Sequence, residues 1–145
     1  MKDKFKKYFA KIALETASLS SAKRLQVGCV IVKDNRILSI GYNGMPSGWT
    51  NECEHVIDNG TNVYYETKQE VLHAEANALM KLCKSTDSSE GATLFVTHYP
   101  CIECAKLIYQ AGISRVYYIN EHNASKGSGE EFLHKAGIGV CQVFL

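Results

Sequence analysis

Phe5, Phe9, Ile12, Ala13 and Ala17 fall at i, i+4, i+7, i+8 and i+12, the spacing of one apolar helix face, with lysines interrupting the other side. The period then changes. "QVGCVIVKDNRILSIGYN" reads as two strand-like runs joined at Asp34-Asn35, a turn-prone pair, and so as a hairpin. From about Met45 to Lys68 the chain is polar, with Gly, Pro, Asn and Asp throughout. That predicts a functional loop with room for a short helix of its own. The remainder alternates: helix "EVLHAEANALMKLC", strand "ATLFVT", helix "CIECAKLIYQAG" ending at Gly112, strand "RVYYIN", short helix "GEEFLHKAG" and strand "IGVCQVFL". Strands separated by helices of this length pair in parallel through right-handed crossovers. The predicted fold is α/β: a three-layer α/β/α sandwich around a mixed sheet of about five strands, antiparallel at its N-terminal hairpin and parallel among its C-terminal strands.

Composition narrows the setting. With 145 residues, 46% of them hydrophobic, and with no repeat, low-complexity tract or clear linker, one domain over residues 1–145 is expected. Sixteen basic side chains against fifteen acidic ones leave a net charge of +1. Such a balance supplies no general basic field for nucleic acid, so a small-molecule partner is expected. The opening stretch "MKDKFKKYFAKIALETASL" is broken by lysines and resembles neither a secretory signal nor a membrane span, which points to the cytoplasm. In that reducing compartment the six cysteines are read as free thiols or metal ligands rather than disulfides.

Cys101 and Cys104, in "HYPCIECAKLI", lie on one face of a helix start, where free N–H groups and the helix dipole favour thiolate. Taken alone the pair is also compatible with thioredoxin-like redox chemistry. The preceding helix decides, because "HAE" at residues 73–75 adds an imidazole and a carboxylate at another helix start. On successive crossovers of one sheet these N-termini meet at the carboxyl ends of the strands, where such sheets place ligands. Three donors, His73, Cys101 and Cys104, leave one tetrahedral zinc position open, the pattern of a catalytic site. Glu75 is then free for proton transfer.

"HAEANAL" with "PCIECAK" resembles the zinc-dependent nucleobase deaminases, whose H-x-E and P-C-x-x-C signature includes a glutamate that is not a ligand. "QVGCVIV", "GYNGMPSGW", "HAEANALM", "TLFVTHYPCIECAKLIYQAGI" and "VYYI", in that order, resemble the deoxycytidylate deaminase branch over roughly residues 5–140. Both prolines of the chain sit within these motifs. The resemblance implies a cytidine deaminase-like fold and hydrolysis of dCMP to dUMP and ammonia through a zinc-activated water, supplying dUMP for thymidylate synthesis.

It also implies residue roles. Glu75 moves protons between the water, ring N3 and the leaving amine. The Ala74 amide lies near the cytosine carbonyl, the main chain around His98 lies near its amino group, and Val27 packs on the ring. Asn43 contacts the sugar, and Tyr99 touches the substrate. A monophosphate calls for basic side chains, and the candidates are Arg24 and Lys126, with His122 lining the same closing loop. Gly41 and Gly44 are read as allowing unusual dihedrals and close approach of backbone to ligand.

Members of this branch are often hexamers activated by dCTP and inhibited by dTTP. On that likeness Gly41, Tyr42, Asn43, Gly44 and Met45 are assigned to an effector site, with Mg2+ accompanying a triphosphate effector. Cys53 and His55 are assigned to a second, structural zinc. Two rival readings stand beside this one. Another enzyme of the superfamily, a tRNA adenosine, cytidine or guanine deaminase, is disfavoured by "GYNGMP" and, for tRNA, by the absence of a basic face. A nucleotide-binding relative without catalysis is disfavoured by the intact Glu75.

Overall fold

A computed structural model describes residues 1–145, and its central feature is a five-stranded mixed sheet. The elements in chain order are α1 (Asp3–Ala17), β1 (Gly28–Lys33), β2 (Arg36–Tyr42), β3 (Glu54–Asp58), β4 (Val63–Thr67) and α2 (Ala74–Cys83). They continue with β5 (Thr93–His98), α3 (Ile102–Gln110), β6 (Arg115–Asn120), α4 (Glu130–Lys135) and β7 (Gly139–Gln142). The sheet order is β2-β1-β5-β6-β7. β1 pairs antiparallel with β2 and β5, and β5–β6 and β6–β7 are parallel. The hairpin turn has Asp34 at φ 53° and Asn35 at φ 57°, the left-handed pair that matches the twist of two antiparallel strands.

Alternation along β1 builds the three layers. Cys29 and Ile31 face α2, α3 and α4 and pack with Ala78, Leu79, Ile108 and Leu133, while Val30 and Val32 face α1 and pack with Phe9, Ala10 and Ala13. Both faces of the central strands are therefore dry, and the helices above and below cover them. Gly41 matters here for its missing side chain: a Cβ would stand 2.3 Å from the Ala74 carbonyl oxygen and 2.5 Å from the Ala78 nitrogen. Its α-carbon lets β2 approach the first turn of α2. It has no positive φ, and the close approach it makes is to the helix.

Two expectations are corrected. The polar stretch carries no helix. It forms the two-stranded sheet β3–β4, in register from Glu54↔Thr67 to Asp58↔Val63. Its turn is stabilised by Asn59 Oδ1, which accepts the N–H groups of Thr61 and Asn62. Every position of β4 is exposed, so there was no buried stripe whose period could be read. The second helix begins at Ala74 rather than at residue 70. Gln69 and Glu70 instead form a turn closed by the Val71 N–H on the Lys68 carbonyl, and Leu72 and Gly44 exchange backbone hydrogen bonds of 2.8 and 3.1 Å.

Candidate functional site

His73 and Cys101 are the N-cap residues of α2 and α3, with ψ of 152° and 168°, and neither side chain caps its own helix. Both are thus free to turn into the space between the helix starts. The His73 Nδ1 lies 3.3 Å from Cys104 Sγ and 3.5 Å from Cys101 Sγ. The three donor atoms all lie within 4.8 Å of one another, and no other group of three His, Cys, Asp or Glu donors exists in the protein. The Cys104 thiol, followed by His73, holds Cys101 down to about 3. Cys104, the thiol that serves Cys101 in a buried setting, is pushed up. His73 is raised, first by its bond to Cys101. Two cysteine sulfurs and one imidazole converge with no fourth protein donor, a soft N/S set that fits a zinc ion with one position left for a non-protein ligand.

Glu75, in the first turn of α2, is 4% exposed. Burial pushes its carboxyl up to about 7, against the lowering effects of a backbone N–H, His73 and the Cys104 thiol. His73, Glu75 and Cys101 line one cavity of about 660 Å³. Its volume suits an organic ligand of modest size.

Every residue assigned to the substrate from sequence reaches this cavity. Val27, Asn43, Ala74, His98, Tyr99 and His122 line it together with the exposed Arg24 and Lys126. Asn43 does more than line it. Its Oδ1 accepts the Val27 N–H at 2.9 Å, its Nδ2 donates to the Leu25 carbonyl at 2.8 Å, and its own carbonyl accepts from the Ser20 hydroxyl at 2.8 Å. This one side chain fastens the segment before β1 to the end of β2. Arg24 is exposed and donates through Nη1 to Thr67 Oγ1 at 3.0 Å, while Glu54 accepts the backbone N–H groups of Lys23 and Arg24. The His98 ring stands 6.0 Å from that of His122 at 78°, edge to face. Burial, then His122, lowers His98 below the usual imidazole value.

Other assignments are separated from the site. Of residues 41–45 only Asn43 lines the cavity. Gly41 is packed beneath α2, Gly44 bridges Leu72, and Met45 packs against Ala22, Cys53 and Val71. Gly44 also lacks a positive φ, so neither glycine of the turn is there for unusual dihedrals. Cys53 is 1% exposed within that small apolar cluster, whereas His55 is exposed on β3 opposite Glu66, and no third donor joins them. In this packing Cys53 sits as a small hydrophobe does.

Sequence reasoning missed two contributors. Tyr64, Tyr65 and Lys68 bring the β3–β4 hairpin to the cavity as a further wall, and only strand assignment in the polar stretch could have found them. Thr97, buried beside His98, is the other, and nothing in its apolar strand marks it.

Over residues 3–120 the chain matches the model of the cytidine and deoxycytidylate deaminase zinc-binding region. It is similar to ComE operon protein 2 of Bacillus subtilis, 38% identical over 138 residues, covering 95% of this chain and 70% of that protein. Similarity to deoxycytidylate deaminase of Homo sapiens is 36% over 142 residues, covering 90% and 75%. Among solved structures it resembles dCMP deaminase from the cyanophage S-TIM5 in complex with dCMP and dUMP, with a TM-score of 0.87, 42% identity and 98% of each chain covered.

Proposed function

This chain belongs to the cytidine and deoxycytidylate deaminase family, and from that premise we propose that it hydrolyses dCMP to dUMP and ammonia. The observation that carries the reading is a His/Cys/Cys donor cluster opening, together with a buried carboxyl, onto one cavity. The choice of dCMP is supported by the likeness to the S-TIM5 enzyme. His73, Cys101 and Cys104 would hold zinc, which when bound lowers the pKa of water from 15.7 to about 7.

Glu75 takes one proton of the attacking water on a carboxylate oxygen and passes it to ring N3 as C4 is attacked, then takes the remaining proton from the new C4 hydroxyl and delivers it to the departing amine. The water's oxygen ends as the uracil carbonyl at C4, and the C4–N bond breaks to release ammonia. Burial brings the carboxyl near neutrality, where both protonation states are accessible. With the site loaded, attraction to the cation shifts it towards the ionised, proton-accepting form. Ala74 offers its amide to the C2 carbonyl, the main chain at His98 accepts from the amine, and Val27 packs on the ring. Asn43 retains one amide hydrogen and one oxygen lone pair for the sugar beyond the bonds it makes to the backbone. Tyr99 closes the base side, and Arg24, Lys126 and His122 receive the phosphate from the rim.

The experiment is direct. Zinc-loaded protein is incubated with dCMP, CMP, deoxycytidine and dCTP while loss of cytosine absorbance is followed. Fastest turnover of dCMP is expected. Inertness towards all four, or preference for another, overturns the reading.

The finer parts of the proposal are physiological. The dUMP formed feeds thymidylate synthesis in the cytoplasm, in keeping with six free cysteines. No helix is long and apolar enough to cross a membrane. A homo-oligomer, a hexamer on the family likeness, is supported by the apolar side chains that the hairpin and its approach leave in solvent: Trp49, Val56, Val63, Tyr64 and Tyr65. Activation by dCTP with Mg2+ and inhibition by dTTP rest on the likeness alone. Coincident rate curves with and without dCTP would remove that part.

A further inference from the structure

Thr97, the penultimate residue of β5, is 1% exposed, and its hydroxyl has two polar neighbours. The Gly28 backbone N–H donates to Oγ1 at 3.1 Å, and His98 Nδ1 lies 2.9 Å from the same oxygen. A hydroxyl carries one hydrogen, and in a buried site that hydrogen needs an acceptor. Gly28 N–H can only donate. The acceptor must therefore be His98 Nδ1, which then presents its lone pair to Thr97, leaving the proton of the neutral ring on Nε2. A proton on Nδ1 would set two N–H donors on one oxygen and strand the hydroxyl hydrogen. Burial and His122 already disfavour the doubly protonated ring.

We infer that Thr97 is a positioning residue that locks His98 as an uncharged Nε2–H donor in the wall of the cavity. With Nδ1 turned to Thr97, the Nε2 edge is what His98 has left for the cavity it shares with Glu75. A neutral N–H suits an oxygen of the nucleotide, on the sugar or the phosphate. Unlike a cation it adds no charge to compete for the Glu75 carboxylate. The inference rests on reading this cavity as the dCMP site.

The test uses zinc-loaded protein labelled with 15N at histidine. The spectrum of the native chain should show His98 with a pyridine-like Nδ1 and a pyrrole-like Nε2. Thr97→Ser keeps the hydroxyl and should restore that pattern; Thr97→Val keeps the shape without it and should give mixed tautomers. Kinetically, Thr97→Val should raise KM for dCMP about fivefold, as expected for one hydrogen bond, with kcat little changed. His98→Leu should do the same. In the His98→Leu background, Thr97→Val should add no further rise, because its effect travels through the ring.

Comparing dCMP with deoxycytidine identifies the oxygen. A His98→Leu penalty confined to dCMP assigns the phosphate, and one shared by both assigns the sugar; either supports the donor role. A proton on Nδ1 in the native chain overturns the inference, and that spectrum needs no variant to fold. A full additional KM rise in the double variant overturns it too. Absence of any dCMP turnover by the native chain would instead remove the functional reading, and the spectrum would still decide the tautomer.

Discussion

The two walls of the cavity are built in opposite ways. One is the pair of helix starts at Ala74 and Ile102, where Ala74, Glu75, Cys101 and Cys104 are all buried and Gly41 of β2 lies against the first turns of α2. The other is the β3–β4 hairpin, a separate two-stranded sheet with every β4 position exposed. The buried wall carries the donors and the carboxyl, groups whose chemistry needs desolvation and sub-ångström placement. The exposed wall carries Tyr64, Tyr65 and Lys68, groups suited to contact rather than reaction. The metal-donor set and the carboxyl are thus on the buried side, and the hairpin adds groups from an exposed element.

Substitutions should reproduce this division. Cys104→Ala is expected to have the largest effect: metal lost, turnover abolished and Tm lowered, because the ion ties α2 to α3 and site and fold are coupled. Metal analysis with a thermal melt checks it; a metal-free variant melting like the parent would show that the ion adds nothing to the fold. Glu75→Gln should keep its metal and its melt while kcat falls by about 10² to 10⁴-fold, separating proton transfer from architecture.

Asn43→Ala comes next. It removes bonds to Val27 and Leu25 and should cost about 1 to 3 kcal/mol of stability along with a higher KM. A change in KM alone would mean that its bracing role is minor. Arg24→Ala on the exposed rim should be mildest. KM for dCMP should rise by about tenfold, deoxycytidine should be unaffected and the melt hardly moved. An equal penalty on deoxycytidine would take Arg24 away from the phosphate.

The same contrast explains what could be read in advance. α1, the Asp34-Asn35 hairpin and the alternation of β5, α3, β6, α4 and β7 were visible because packing against the core leaves either a helical period or a short apolar run in the sequence. His73, Glu75, Cys101 and Cys104 were visible because their chemistry needs a few residue types at fixed local spacing. The β3–β4 strands bury nothing and left no such trace. Cys53 illustrates the converse: a polar stretch gave no sign that this thiol packs against Ala22 and Val71.

By itself, then, the chain determined its layers and its reactive groups, since periodicity and motif spacing are local properties that survive in one dimension. Tertiary structure alone decided that Asn43 reaches back sixteen residues to hold Val27, that Gly41 makes room for α2, and that Gly28 and His98 share one hydroxyl. Those are contacts between distant segments, set by how sheet and helices close on one another.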